Sequence, residues 1–127
     1  GDEMVAVFQG DTMVHRAVEC AAEIQQTMSQ VTSTAGEDVG IGIGINTGEM
    51  VMGAMGSEDR MDFTVIGDAV NLGARLCSAA KRGQILISEN SARYLHGSTS
   101  LQLVKLEAIR VKGKEQPIEI FEVRPHA

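Results

Sequence analysis

Aromatic residues are scarce in this sequence: they make up 3% of the 127 residues, and tryptophan is absent. The core must therefore be built from aliphatic side chains, methionine and alanine. Cysteine is also rare, with two residues, Cys20 and Cys77. Their positions match neither a disulfide framework nor a metal-ligand spacing, which argues against a small secreted scaffold and against a zinc module. We expect both to be buried, reduced thiols in a reducing, cytoplasmic environment.

Long apolar runs and an excess of positive charge are lacking as well. The sequence shows no signal peptide and no stretch long enough to cross a bilayer, so it predicts no membrane segment. Lys and Arg number 11 against 17 Asp and Glu, a net charge of −6. Binding to nucleic acid needs clustered positive charge, so we expect no nucleic-acid partner. Any phosphate chemistry must instead use a few placed cations or a bound metal.

The hydrophobic periodicity predicts one α+β domain with the order β-α-β-β-α-β-α-β-β. A helical stripe begins at Thr12, and a second helix runs from Asp68 to a C-cap near Gly83. A short third helix, capped by Ser88 or Asn90, follows the buried strand 84–88. Two polar loops are predicted at 32–38 and 57–62. The remaining predicted strands are 4–8, 39–46, 50–56, 101–111 and 117–123.

Three glycines alternate with isoleucine in "GIGIGI", residues 40–45. The dinucleotide fingerprint G-x-G-x-x-G requires a strand-to-helix turn, and these glycines alternate within a strand. We predict that they allow another backbone or a helix to approach one face closely, because they carry no Cβ. The following strand, 50–56, is predicted to form a hairpin with this one through the turn at 47–49.

The stretch "FTVIGDAVNLGARL", residues 63–76, places Asn71 and Arg75 four residues apart on one helix face. Arginine binds phosphate with a fixed fork of donors and keeps its proton, and asparagine can hydrogen-bond a sugar oxygen. From these residues alone, a ligand-binding face and an ordinary solvated face are equally good interpretations. Asp2, between a glycine and a predicted strand, is locally better explained as a turn residue than as a Mg²⁺ ligand.

The same stretch resembles the signature segment of class III nucleotide cyclases. Four further stretches resemble segments of that family in the same order: "GDEMVAVF", "VGIGINTGEMVMGAMGS", "GQILIS" and "VKGKEQPIEIFEV". The resemblance implies a ferredoxin-like, palm-type fold in which helices pack on a mostly antiparallel sheet. It also implies that a nucleoside triphosphate is converted to a 3′,5′-cyclic nucleotide and pyrophosphate, at sites in the interface of a dimer.

By matching position, the resemblance implies that Asn71 orients the ribose and that Arg75 stabilises the transition-state phosphate. Thr64 lies where the family recognises the purine, and threonine there is similar to adenylyl rather than guanylyl cyclases. Lys112 lies where a family lysine reaches the terminal phosphates, with Lys114 as the neighbouring candidate. These residues predict an adenylate cyclase that uses ATP.

Asp2 resembles one of the two metal-binding aspartates of the family, which implies Mg²⁺ or Mn²⁺ as the cofactor. The family's first metal aspartate and its purine-selecting lysine have no counterpart between residues 1 and 127. We therefore expect a partial catalytic domain without its N-terminal third, which alone makes little or no cyclic AMP. The main alternative is a catalytically incomplete module that only dimerises or binds nucleotide. A diguanylate cyclase or a regulatory module is less favoured, because neither requires the Asn-x-x-x-Arg helix.

Overall fold

The computed structural model describes residues 3–36, 39–57, 60–95 and 101–125, and for 55–57, 60–64 and 125 it describes the backbone alone. The helices in these ranges are α1 (Met13–Ala35), α2 (Asp68–Ala79) and α3 (Glu89–Ala92), which continues into a 3-10 turn (Arg93–Leu95). The strands are β1 (Ile43–Ile45), β2 (Val51–Ser57), β3 (Arg60–Ile66), β4 (Ile85–Ser88), β5 (Leu101–Lys105) and β6 (Ile120–Pro125).

Four strands form the main sheet, in the order β1-β4-β6-β5. β1 pairs with β4 in parallel, with Ile43 opposite Ile85, and the other two pairings are antiparallel. β2 and β3 form a separate antiparallel hairpin, in which Val51 lies opposite Ile66. The α+β class and the mostly antiparallel sheet predicted from the sequence are confirmed.

The two long helices cover opposite faces of the main sheet. The side chains of β4 show this, since successive side chains of a strand point to opposite faces. Ile85 and Ile87 pack in one cluster with Val18 of α1. Leu86, between them, packs in a second cluster with Leu76 of α2. All four residues of β4 are buried, which confirms the predicted buried strand. The sheet therefore has apolar contacts on both faces.

α2 lies directly against the backbone of β1, as the alternating glycines predict. A Cβ built on Gly42 would lie 2.7 Å from the carbonyl oxygen of Ala80, and one on Gly44 would lie 2.6 Å from the carbonyl oxygen of Gly73. Real Cβ atoms do not approach other atoms so closely, so any side chain at Gly42 or Gly44 would push the helix away. Glycine at these two positions sets the distance between α2 and the sheet.

The predicted hairpin between 39–46 and 50–56 is wrong. β1 pairs with β4, whereas β2 pairs with β3, so residues 46–50 connect two different sheets. The hairpin of β2 and β3 also takes up most of the stretch 57–62, which was predicted to be a polar loop. Alternation reveals a strand but not its partner, because the partner is chosen by contacts that are distant in sequence.

The predicted first strand, 4–8, is also absent. No strand in the described part of the chain pairs with it, and Met4 and Val5 are 95% and 62% exposed. The next residue along the chain, Gln9, contacts β2, with its Nε2 3.8 Å from Met52 Sδ. An apolar run becomes a strand only where a neighbour takes up its backbone hydrogen bonds, so composition alone misassigned this segment.

α1 is longer than the sequence predicts, because it includes residues 32–35 of the expected polar loop. It ends at Gly36, which has a φ of 76° and donates its N–H to the carbonyl oxygen of Thr32. Its apolar stripe is buried at Val18, but Ile24 is 39% exposed. None of the helices in the described ranges has the length and apolar character that spanning a membrane requires.

Smaller differences concern the ends of the later elements. α2 stops at Ala79, and Gly83 lies in the turn beyond it with a φ of 81°. β5 is shorter than the predicted strand 101–111, and β6 begins and ends later than the predicted strand 117–123. In the segment between β5 and β6, Ile109 and Ile118 form an isolated bridge. The short third helix is confirmed as α3 and the 3-10 turn.

Two glycine-to-alanine variants should change the stability in opposite directions. Gly44→Ala should lower the free energy of unfolding by roughly 1–3 kcal/mol, because the methyl group meets the α2 backbone. Gly73→Ala should raise it by up to about 1 kcal/mol, because alanine favours the helix and the nearest atom to its Cβ, on Asn46, is 3.8 Å away. Urea unfolding of both variants and the parent measures these changes. Equal effects would contradict the described contact between α2 and β1.

Candidate active site

α2 presents both predicted catalytic side chains on its exposed side. Asn71 and Arg75 are exposed and lie about one turn apart, whereas Leu76 is fully buried against the sheet. Within the described ranges, neither the amide of Asn71 nor the guanidinium of Arg75 has a hydrogen-bond or ion-pair partner. Both polar groups are therefore available to a ligand approaching this side of the helix.

The connection from β3 to α2 is a tight turn at Gly67. This residue has a φ of 149°, a conformation that side-chain-bearing residues rarely adopt. Its carbonyl oxygen accepts hydrogen bonds from the backbone N–H groups of Val70 and Asn71, each at 3.1 Å. A Cβ at this position would also lie 3.2 Å from the carbonyl oxygen of Glu49. Glycine here lets the helix begin immediately after the strand and close to the loop 46–50.

The turn at 112–114 lies beside the first residue of α2. Lys114 Nζ is 3.7 Å from Asp68 Oδ2, and the side chain of Asp68 is 87% exposed. An ion pair this exposed is worth little, about 0–1 kcal/mol, so it leaves Lys114 free to exchange partners. Lys112 is exposed on the same turn, which Gly113 closes with a φ of 88°. The fold thus brings the turn at 112–114 to the first turn of α2, although Lys112 is 41 residues beyond Asn71 in sequence.

The structure does not test the roles of these residues, and two predicted site residues fall outside its description. Asp2 lies outside the described residues, and so does the side chain of Thr64, whose backbone lies in β3 opposite Gly53. Among the described residues, no group of three or more His, Cys, Asp or Glu side chains could hold a metal ion. The assignment of Asp2 as a metal ligand stays a prediction.

A buried polar network, which the sequence analysis missed, joins the sheet to the start of α2. Asn46 Nδ2 donates to the carbonyl oxygen of Ala69 at 2.9 Å, and Ser88 Oγ lies 2.6 Å from Asn46 Oδ1. Ser91 Oγ is 3.0 Å from Ser88 Oγ and 2.8 Å from Thr47 Oγ1. The available signal was the placement of small polar residues directly after two apolar strands.

The network also corrects the predicted cap of α3. Ser88 occupies the N-cap position, but its hydroxyl makes no capping hydrogen bond to the helix backbone. It lies instead within hydrogen-bond distance of the side chains of Asn46 and Asn90, at 2.6 Å from each acceptor oxygen. Ser88 is therefore the last residue of β4, and its hydroxyl connects this strand to Asn46 and Asn90.

The two cysteines are free but only partly buried, so the expected full burial is not found. Cys77 lies on the side of α2 that faces β1, with its Sγ 3.5 Å from the carbonyl oxygen of Gly42. Burial, with a smaller contribution from the charge of Glu3, raises the pKa of the Cys77 thiol. Its contact with the backbone next to β1 makes Cys77 a packing residue of α2.

Comparison with known proteins defines the family. Residues 1–123 match the family described as the adenylate and guanylate cyclase catalytic domain, and the chain belongs to this family. An adenylate cyclase from Anabaena cylindrica is 37% identical over 136 residues, a match that covers 98% of this chain and 27% of that protein. The resemblance to nucleotide cyclases inferred from the sequence is confirmed.

Solved structures agree with this assignment. The adenylyl cyclase CyaB from P. aeruginosa has a TM-score of 0.78 and 31% identity, and the match covers 100% of this chain and 65% of that one. The guanylate cyclase domain of RhGC from Catenaria anguillulae, in complex with GTP, has a TM-score of 0.78 and 28% identity, with coverage of 94% and 63%. The chain spans less than two thirds of each of these relatives. Because adenylyl and guanylyl cyclases both match, the comparisons define a nucleotide cyclase domain without choosing the base.

Proposed function

We propose that this domain converts ATP to 3′,5′-cyclic AMP and pyrophosphate by intramolecular phosphoryl transfer at the interface of a homodimer. The observation that carries the proposal is the exposed side of α2. It presents Asn71 and Arg75, whose polar groups have no partner among the described residues, while the turn with Lys112 and Lys114 lies beside the first residue of the helix. Family membership supplies the reaction class to which this arrangement of a polar amide and cations is suited.

In this reaction the ribose 3′-oxygen attacks the α-phosphorus, loses its proton and displaces pyrophosphate. Negative charge redistributes over the phosphate oxygens, so fixed positive charge and accurate positioning lower the barrier. Arg75 holds the transferred phosphate through its fork of donors, and Asn71 orients the ribose by hydrogen bonding. Lys112 and Lys114 attract the terminal phosphates that leave as pyrophosphate.

The cofactor we propose is Mg²⁺ or Mn²⁺, with Asp2 as one ligand, as the resemblance implies. A divalent ion supplies Lewis-acid stabilisation of the phosphate oxygens when it is bound. The chain has a net charge of −6, so its own side chains offer little excess positive charge to neutralise a triphosphate. A bound metal ion would supply the remaining positive charge.

The surface next to α2 supports the homodimer. On the hairpin of β2 and β3, Val51 and Ile66 lie directly opposite each other, so their side chains share one face, and they are 70% and 61% exposed. Large apolar side chains grouped on an exposed hairpin favour association with another protein surface. A second copy would bury this surface and enclose the open side of the site.

Replacement of the two helix residues tests the proposed activity. Arg75→Ala and Asn71→Ala should each lower kcat for cyclic AMP formation by about 100-fold, because each removes stabilisation of the transition state. Rates are measured by chromatography of the product, with the protein at its natural length, ATP and Mg²⁺ or Mn²⁺. The control is Arg93→Ala, which removes an exposed arginine paired with Glu89 and should leave the rate unchanged.

Two outcomes would contradict the proposal. If both α2 variants retain the parent rate, this helix face does not contribute to the reaction. If the parent protein binds ATP but forms no cyclic nucleotide with either metal, the catalytically incomplete alternative is correct.

The base preference is tested by comparing two substrates. The parent protein should use ATP faster than GTP, because Thr64 can hydrogen-bond the purine edge and the wrong base would leave a buried polar group unpaired. Thr64→Ala should reduce the ratio of the two values of kcat/KM, whereas Thr27→Ala, on an exposed position of α1, should not change it. Equal rates on ATP and GTP in the parent would refute the adenylate cyclase assignment.

The shared site is tested by mixing two inactive variants, Asp2→Ala and Arg75→Ala. If the metal ligand and the arginine of one site come from different subunits, half of the randomly mixed dimers carry one intact site of two. The mixture should then recover about a quarter of the parent activity. Mass measurement establishes that heterodimers have formed. A monomeric mass at micromolar concentration would contradict the homodimer. Heterodimers that form without recovery of activity would contradict the shared site.

A further inference from the structure

Asn46 is the side chain that connects the main sheet to the first turn of α2. It follows the last residue of β1 directly, and its Nδ2 donates to the carbonyl oxygen of Ala69 at 2.9 Å. Its Oδ1 lies 2.6 Å from the hydroxyl of Ser88 at the end of β4. Ala69 is two residues before Asn71. The amide thus uses its acceptor on the sheet and its donor on the helix.

The sheet side of this connection is rigid. Ser88 and Ser91 are 2% and 0% exposed, and their hydroxyl oxygens are 3.0 Å apart. Ser91 Oγ also lies 2.8 Å from Thr47 Oγ1 and 3.4 Å from Asn90 Oδ1, so it keeps a partner when the Thr47 hydroxyl is removed. Buried hydroxyls that have partners hold their positions, because leaving one unpaired costs roughly 1–3 kcal/mol. Asn46 therefore has a fixed orientation before it reaches the helix.

The helix side depends on such a connection at its first turn, because the described apolar clusters include Leu72, Leu76 and Ala79 of α2 but none of residues 68–71. The fully buried residue of this helix is Leu76, near its C-terminal half. Gly73 lies between Leu76 and the first turn, and glycine weakens a helix relative to alanine. The loop after Asn46 completes the contact, since a Cβ on Gly48 would lie 2.8 Å from the Cβ of Ala69.

We infer that Asn46 is a positioning residue, which fixes the first turn of α2 and thereby the alignment of Asn71 and Arg75 with the substrate. Its catalytic consequence rests on the proposed function. We assign Asn46 no contact with the nucleotide, because its Oδ1 and one N–H of its Nδ2 are used within the protein. Loss of the donor should therefore lower kcat and leave KM nearly unchanged.

The test uses Asn46→Asp and a matched control, Thr47→Val, in the protein at its natural length. Aspartate keeps the size of the side chain and the acceptor for Ser88, but places a carboxylate oxygen against the Ala69 carbonyl in place of the amide donor. Valine at position 47 removes a hydroxyl of the same network that does not contact α2. Asn46→Ala serves as the second variant if the buried carboxylate prevents folding.

Two measurements are made on each variant. Amide hydrogen exchange in residues 67–73 should become at least about tenfold faster in Asn46→Asp, with exchange in α1 unchanged, because local opening needs no global unfolding. The kcat for cyclic AMP formation should fall at least about tenfold with KM for ATP within about threefold, because small misplacements of catalytic groups are costly. Thr47→Val should change neither quantity.

Several results would overturn the inference. These are unchanged exchange in α2, a kcat unaffected by faster exchange, a change confined to KM, or an equal effect of Thr47→Val. If the parent protein forms no cyclic nucleotide, the proposed function fails, and the exchange data still decide whether Asn46 fixes the first turn. Faster exchange confined to 67–73 would then support the positioning contact, and unchanged exchange would refute it.

Discussion

Close contact between the α2 backbone and β1 is the constraint on which the rest of this domain depends. Gly42 and Gly44 remove the Cβ atoms that would separate the two elements, so the helix comes within contact distance of the strand backbone. At that distance Leu76 reaches the apolar cluster on this face of the sheet. The opposite side of α2 must then face away from the sheet, which places Asn71 and Arg75 where a ligand can reach them.

Apolar contacts hold α2 from Leu72 onward, and a polar contact holds its first turn. Leu76 anchors the C-terminal half by burial, which sets the distance from the sheet but permits small rotations or shifts along it. Hydrogen bonds are directional, and the one from Asn46 to Ala69 acts on the first turn. Together they define both the distance and the orientation of the helix. A transition state that needs aligned donors requires both.

In a chain with a net charge of −6, the candidate site has two kinds of positively charged side chain. Arg75 is carried by a helix, so α2 sets the direction in which this side chain leaves the backbone. Lys114 is carried by a turn and pairs only loosely with Asp68 at 3.7 Å. A fixed cation at the reacting phosphate and mobile cations at the leaving group suit the two roles proposed for them.

The sequence by itself determined the features that depend on neighbouring residues: the amphipathic first helix, the buried strand before α3, the glycine face of β1, and the four-residue spacing of Asn71 and Arg75. These follow from steric properties and from periods of 2 and 3.6 residues, which act over a few positions. Tertiary structure alone decided that β1 pairs with β4, that residues 4–8 form no strand, and that Asn46 reaches Ala69. Each of these depends on which groups meet after the chain has folded, and backbone hydrogen bonding is the same for every possible partner, so no local pattern could reveal the choice.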